Sequence, residues 1–335
     1  MDLQKFCKEN EITIHYKGSG GFPSEHAFRA ISNVDKKFVC SVSVYPISNE
    51  EYGGFNDPAN PIYVNIKMAE LLSKFGEEHQ IPFLKRSMQV FYTGIEQFID
   101  IKNSDYIFCD ETLSLLYELF FINRRNNLHN KVLIVLEDRW FENNLIDKIY
   151  KECIDITSER LTVIIFQILY TLASIHITYP SFRHNDLDAA DIMINDVVTD
   201  NKDYTYFIGN HKFVVPNVGV QIGLTNFHFS CIKDLVENNK VNNEWCARLG
   251  ISSKENKYYD IHHFFNTFLR PIYSKALSRM AQEETVNFMH RVVPEKYRNG
   301  SKYVHKRGRI LVNTEYSTPY DVIMKDPLFE KYRFR

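Results

Sequence analysis

A histidine, an aspartate two places on and a second aspartate five residues beyond that stand in FRHNDLDAADIMI, residues 182–194. Apolar chain flanks this string on both sides, so a polar loop is pinned at each end, as a reacting surface on a rigid scaffold requires. Asp186 has the chemistry of a base, or of a carboxylate that orients an attacking hydroxyl. Asp191 offers a carboxylate to Mg²⁺, and His184 serves the catalytic pair as its scaffold residue. Phosphoryl transfer calls for that set. A plain polar turn between a helix and a strand would use the same letters, so the flanks decide.

The flanks are specific. SERLTVIIFQILYTLASIHI (158–177) sets Leu161, Ile165, Ile168, Leu172 and Ile175 on one stripe, widened by Val163, Ile164 and Leu169. This predicts a nearly buried helix that delivers the chain into the loop. Beyond the loop, IMI (192–194) and the runs YTYFI, KFVVP and VQIGL within 204–224 read as short strands ending at LTNFHFS. KYYDIHHFFNTFL (257–269) reads as an interior helix that stops at Pro271, with Asp260 near its start. His262 and His263 on it read as satisfied imidazoles, and Trp140 and Trp245 as packing residues.

Upstream, ITIHY, HAFRAIS and FVCSVSVY alternate as three antiparallel strands between Ile12 and Tyr45. Their first turn carries Gly18, Gly20 and Gly21, whose backbone amides suit close approach to a phosphate. A simple hairpin turn uses the same glycines, and Pro23 stands at the third position of a phosphate-loop pattern. Met68, Leu71, Leu72 and Phe75 predict a helix over 64–75; strands follow at 89–95 and 131–138, with an inserted helix near 110–125. The fold class is therefore α+β, a β-rich part over 1–137 and a mainly helical part over 138–335, two lobes with a cleft between them.

Composition narrows the classes. The 335 residues suffice for one large or two moderate cores, and a formal charge of -2 gives no overall footprint for nucleic acid or membrane. The six cysteines lie far apart without a C-x-x-C pair, which argues against a zinc knuckle or a disulfide framework. The first residues lack a signal-peptide core and no apolar run approaches ~18 residues, so an intracellular protein is expected. The basic run His290–Arg309 offers a site for nucleic acid or an acidic tail, but a solvated face is its simpler reading.

Three strings together, FRHNDLDAADIMI, KFVVPNVGVQIGLTNFHFS and NKYYDIHHFFNTFL, resemble the protein-kinase fold from about Ile12 to Phe334. The similarity is closest to the serine/threonine kinases of large DNA viruses, the poxvirus and giant-virus virion kinases. The resemblance implies that Asp186 is the catalytic-loop base and that Asp260 hydrogen-bonds that loop. It implies ATP and Mg²⁺ as cofactors, with Ser43, Asp191 and Asn226 in nucleotide- and metal-contacting positions.

Those positions depart from the pattern. Ser43 stands where the family carries the phosphate-binding lysine and Asn65 where it carries the partner glutamate. Glu70 lies about 140° around the helix from Asn65 and does not substitute. Asp191 and Asn226 exchange the family's amide and acid, leaving a weak metal site at Asp191 and Asn226. Asp188 puts a carboxylate where a lysine contacts the terminal phosphate. Removing one preorganised group costs about 2–4 kcal/mol of transition-state stabilisation, so five altered positions leave little rate.

The expectation is a viral serine/threonine kinase-like protein with impaired phosphotransfer, a pseudokinase acting by binding a protein partner such as an active kinase or a virion component. It would work in the host cytoplasm or the virion, with no membrane segment. Two alternatives remain. One is an active, atypical kinase with Asp186 as base, Asp191 as metal ligand and Lys17, Arg29 or another cation restoring the charge. The other is a small-molecule kinase of the choline and aminoglycoside kinase type, whose loop also reads H-N-D.

Overall fold

Alternating apolar residues, broken by polar turns, give the first part of the chain its sheet. The computed structural model describes residues 3–19, 26–36, 38–47, 61–84, 87–94, 131–138, 143–151, 157–199, 202–271, 273 and 281–334. Gly20, Gly21, Trp140 and the helix expected at 110–125 lie outside these residues. The chain divides into two compact units, Met1–Tyr63 with Lys85–Trp140, and Val64–Leu84 with Phe141–Arg335.

In the first unit, a short helix α1 (Leu3–Glu9) precedes β1 (Ile12–Ser19), β2 (His26–Ser32), β3 (Phe38–Ile47), β4 (Ser87–Gly94) and β5 (Lys131–Asp138). They form one antiparallel sheet in the order β1-β2-β3-β5-β4. Ile12 and Ile14 are buried in alternation on β1, whereas Val42–Tyr45 of β3 and Leu133–Leu136 of β5, the central strands, are buried without a break. Gly18 lies in β1 just after a register shift that leaves Lys17 without a paired position. Ser43 is buried, opposite Ala27 on β2 and Val135 on β5.

The helix expected over 64–75 spans Pro61–Glu78, α2. Proline suits the first helical position, where its missing N–H would have had no intrahelical partner. The far end closes where Gln80 takes a left-handed φ of 53° and the Ile81 amide donates back to the Gly76 carbonyl at 2.8 Å. From Val64 onward this segment belongs with the second unit. Leu224 N donates to Phe83 O at 2.9 Å, and the Phe83 ring meets Tyr170 edge-on.

The second unit is built on α4 (Ser158–Thr178), reached through β6 (Asn143–Asn144) and α3 (Leu145–Lys151). Thr157 caps α4 by accepting from Arg160 N, and every residue from Leu161 to His176 is buried. By length and composition α4 is apolar enough to cross a membrane, which the sequence reading had not credited; 89% of its apolar window is packed inside the fold. At its centre Gln167 donates to Val220 O and accepts from Ile222 N, both at 3.1 Å. One buried amide thus satisfies the edge of a strand.

After the loop, β7 (Ile192–Asp196) pairs with β10 (Val220–Leu224), and β8 (Tyr204–Ile208) with β9 (His211–Val215). α5 (Glu244–Arg248), α6 (Tyr259–Phe268), α7 (Glu283–Val292) and α8 (Pro319–Lys325) follow. Phe166 of α4 lies within 6.1 Å, centroid to centroid, of Tyr170, Tyr206, Phe213, Phe329 and Tyr332, so the hairpin and the last turns meet on one ring. Trp245, read from sequence as a packing residue, is 51% exposed on α5. Its helix has five residues and one buried member, Cys246, too short to hide an indole.

Phe166→Ala is expected to cost about 3–5 kcal/mol, because it empties the centre of this aromatic group. Urea unfolding followed by circular dichroism reads it; a loss below about 1 kcal/mol would show the group is not central.

Candidate functional site

The string His184–Asp191 is held through both its backbone and its side chains. Asp260, fully buried near the start of α6, accepts His184 N on one oxygen at 2.7 Å and Asn185 N on the other at 2.8 Å. Asn185 sits at φ 68°, a region asparagine tolerates better than most residues. Its side chain donates to Phe229 O at 2.9 Å and Ser252 O at 3.1 Å. The His184 imidazole donates through Nε2 to Thr225 O at 2.9 Å, and its ring lies against Phe227. Burial holds its pKa below the usual imidazole value, so it is neutral at pH 7 and acts as a brace.

Asp186 stands differently. Its side chain is 28% exposed, and the guanidinium of Arg309 donates to one of its oxygens. Sequence reading placed Arg309 at the end of a basic, solvated run. In the structure it is buried, while Lys296, Lys302, Lys306 and Arg307 of that run are exposed. Arg291 pairs instead with Asp326 at 2.7 Å, and Arg298 donates to Val293 O and His290 O.

The exchanged acid and amide face each other. Asn226, at φ 66°, donates through Nδ2 to Asp191 Oδ1 at 2.6 Å, and Asp188 N donates to Asp191 Oδ2 at 3.0 Å. Asp188 accepts from Ala190 N at 2.7 Å. Burial, then the charge of Asp188, pushes the Asp191 carboxyl well above the usual carboxylate range. Burial raises Asp188 as well.

Asn65 on α2 also has a use that the sequence does not announce. Its Oδ1 accepts from Phe227 N at 2.7 Å, so the position expected to hold the glutamate instead braces the turn that carries Asn226. Glu70 is exposed and pairs with Lys67 at 3.2 Å.

Mg²⁺ seeks hard oxygen ligands carrying negative charge. Both Asp191 oxygens already accept internal hydrogen bonds, and burial drives that carboxyl toward its neutral form. As placed, the pair is satisfied internally rather than opened toward an ion. Among the described residues no group of three or more His, Cys, Asp or Glu gathers elsewhere for a metal. His262 and His263 are buried, with pKa values lowered by burial to about 4 and about 3, and His262 Nε2 meets Tyr297 O at 2.8 Å.

Two measurements probe this geometry. Asp260→Ala removes a charged acceptor from two amides and should cost about 3–5 kcal/mol in urea unfolding; a near-neutral result would mean the loop is held otherwise. Asp191 is the second. Above the ordinary aspartate value the unfolded chain has released a proton that folded Asp191 still holds, so this group makes stability fall as pH rises through that window. Asp191→Asn lacks that term. Its melting temperature should therefore drop less than the parent's between pH 4 and 7, and parallel curves would contradict the assignment.

The comparisons agree with this architecture. A family model described as poxvirus serine/threonine protein kinase matches residues 60–331. A protein of Acanthamoeba polyphaga mimivirus named "Putative serine/threonine-protein kinase" is 41% identical over the whole chain, which spans 72% of that protein. A second mimivirus protein with the same description is 28% identical over 52% of the chain and 48% of its own length. With its α+β architecture and its braced loop, the chain belongs to the poxvirus serine/threonine protein kinase family.

Proposed function

We propose that this viral kinase-like protein is a pseudokinase, impaired in phosphotransfer and acting by binding a protein partner in the host cytoplasm or the virion. The observation that carries the reading is the Asp191–Asn226 contact. The two side chains that would have to face a cation hydrogen-bond each other, at 2.6 Å. Asn65 is spent on a backbone amide, and Ser43 brings a hydroxyl where a cation is required.

Support for binding comes from the segment between Phe229 and Asn256. Trp245 is 51% exposed on it, an indole of the kind that anchors interfaces, and Leu235 adds an exposed apolar side chain. A cavity of ≈ 340 Å³ beside it is lined by Arg183, Ser252, Lys254, Asn256, Tyr259 and Leu311, among others. The Arg183 guanidinium stacks 3.8 Å over Tyr259 and donates to Ser252 Oγ at 2.7 Å. An active kinase or a virion component is the proposed occupant.

One observation favours a second reading, an active but rearranged serine/threonine kinase: Arg309 gives Asp186 a neighbouring cation that the loop itself lacks. The assay that separates the two is phosphorylation of a generic basic or acidic substrate protein by the purified chain with Mg²⁺ or Mn²⁺. The pseudokinase reading expects incorporation no greater than in the Asp186→Ala variant. Robust incorporation that Asp186→Ala abolishes would overturn it.

A further inference from the structure

Position 188 carries a carboxylate, so the loop has no cation of its own next to Asp186. The structure brings one from 123 residues away. We infer that Arg309 is the positioning cation of this loop. It fixes the Asp186 carboxylate from the C-terminal segment, and it is the group that a phosphoryl oxyanion arriving at Asp186 would meet. The inference rests on the kinase-loop assignment of Asp186 and holds whether or not phosphotransfer is lost.

The frame around Arg309 is rigid. Val304 and Ile310 bridge each other, Arg309 O accepts from His305 N at 2.8 Å, and Gly308 N donates to His305 O at 2.7 Å. Gly308 holds φ 86°, and a Cβ there would lie 3.1 Å from the Arg270 guanidinium, so the turn calls for glycine. Asn266 on α6 donates to Gly308 O at 2.9 Å, and Asn299 donates back to Asn266 O at 2.8 Å. His262, one turn earlier on the same helix, holds Tyr297 O.

Thus α6 grips the catalytic loop through Asp260 near its start and the Arg309 turn through Asn266 further along, while His262 holds Tyr297 upstream of that turn. The separation of Arg309 from Asp186 is set by one helix. A swinging gate would not be bolted this way, and Ile310 beside it is 1% exposed.

Arg309 keeps spare donor capacity. Its Nε is buried and has no hydrogen-bond partner, and Asp186 is the one acidic partner of its guanidinium among the described residues. Burial lowers its pKa to about 10, which leaves it cationic at neutral pH. A guanidinium facing a single, part-exposed carboxylate is a receptor for a phosphate, held at rest by that counter-ion.

Calorimetric titration of the full chain with tripolyphosphate, free of metal, tests this. Asp186→Asn removes the competing charge and should raise the affinity at least about fivefold. Arg309→Met should abolish binding in either background, and Arg309→Lys in the Asp186→Asn background should restore part of it. A purely structural ion pair predicts none of these; an unchanged affinity in Asp186→Asn, or binding that survives Arg309→Met, overturns the inference. Arg309→Lys keeps the charge and guards against misreading a folding defect. Parallel titrations with ATP and inorganic phosphate tell the source: equal affinity for ATP and tripolyphosphate supports a polyphosphate ligand, and equal affinity for inorganic phosphate a single-phosphate site. Failure here leaves the pseudokinase reading standing, since that is judged by phosphate incorporation.

Discussion

Two backbone amides converge on one buried carboxylate, and the candidate site depends on that convergence. Asp260 offers both oxygens to the chain at His184 and Asn185, and an ionised acceptor strengthens both bonds. A buried carboxylate without partners would be driven to neutrality or out of the core. Here the partners are themselves part of a loop with a left-handed residue, whose strain needs such support. Each side stabilises what would be unfavourable in the other.

The same economy extends to the positions where the chain departs from the kinase pattern. The side chains at the altered positions have not been left idle. Asn65 braces the turn at Phe227, Asp191 and Asn226 satisfy each other, and Asp188 accepts a local amide. Polar groups removed from water need partners, and protein partners serve as well as ligands. At each of these positions the polar group has a protein partner.

What the sequence made readable follows from range. The loop, the long apolar helix, the strands at 192–224 and the helix containing Asp260 all carry local signatures: a spacing, a period or a proline stop. Asn65 and Arg309 do not. Their partners lie 162 and 123 residues away, and no local pattern marks a side chain whose acceptor is so distant. Arg309 was further hidden by its neighbours, because Lys306 and Arg307 beside it are exposed cations. The glycine Gly308 was the available clue, since a left-handed turn there lifts one residue out of an otherwise solvated run. Residues 64–84, read from sequence with the β-rich part, group with the second unit through tertiary contacts such as that of Leu224 N with Phe83 O.

The helix at Ser158–Thr178 has a consequence for how the molecule is made. It is apolar almost all round, and part of its cover arrives last: Phe329 and Tyr332 reach Phe166, and the Pro319–Lys325 helix packs on it. During synthesis more than a hundred residues must leave the ribosome before that surface is closed. Until then a sticky cylinder waits, a species open to chaperones and to aggregation. Without Phe329 and Tyr332 the side of that helix around Phe166 would stay uncovered.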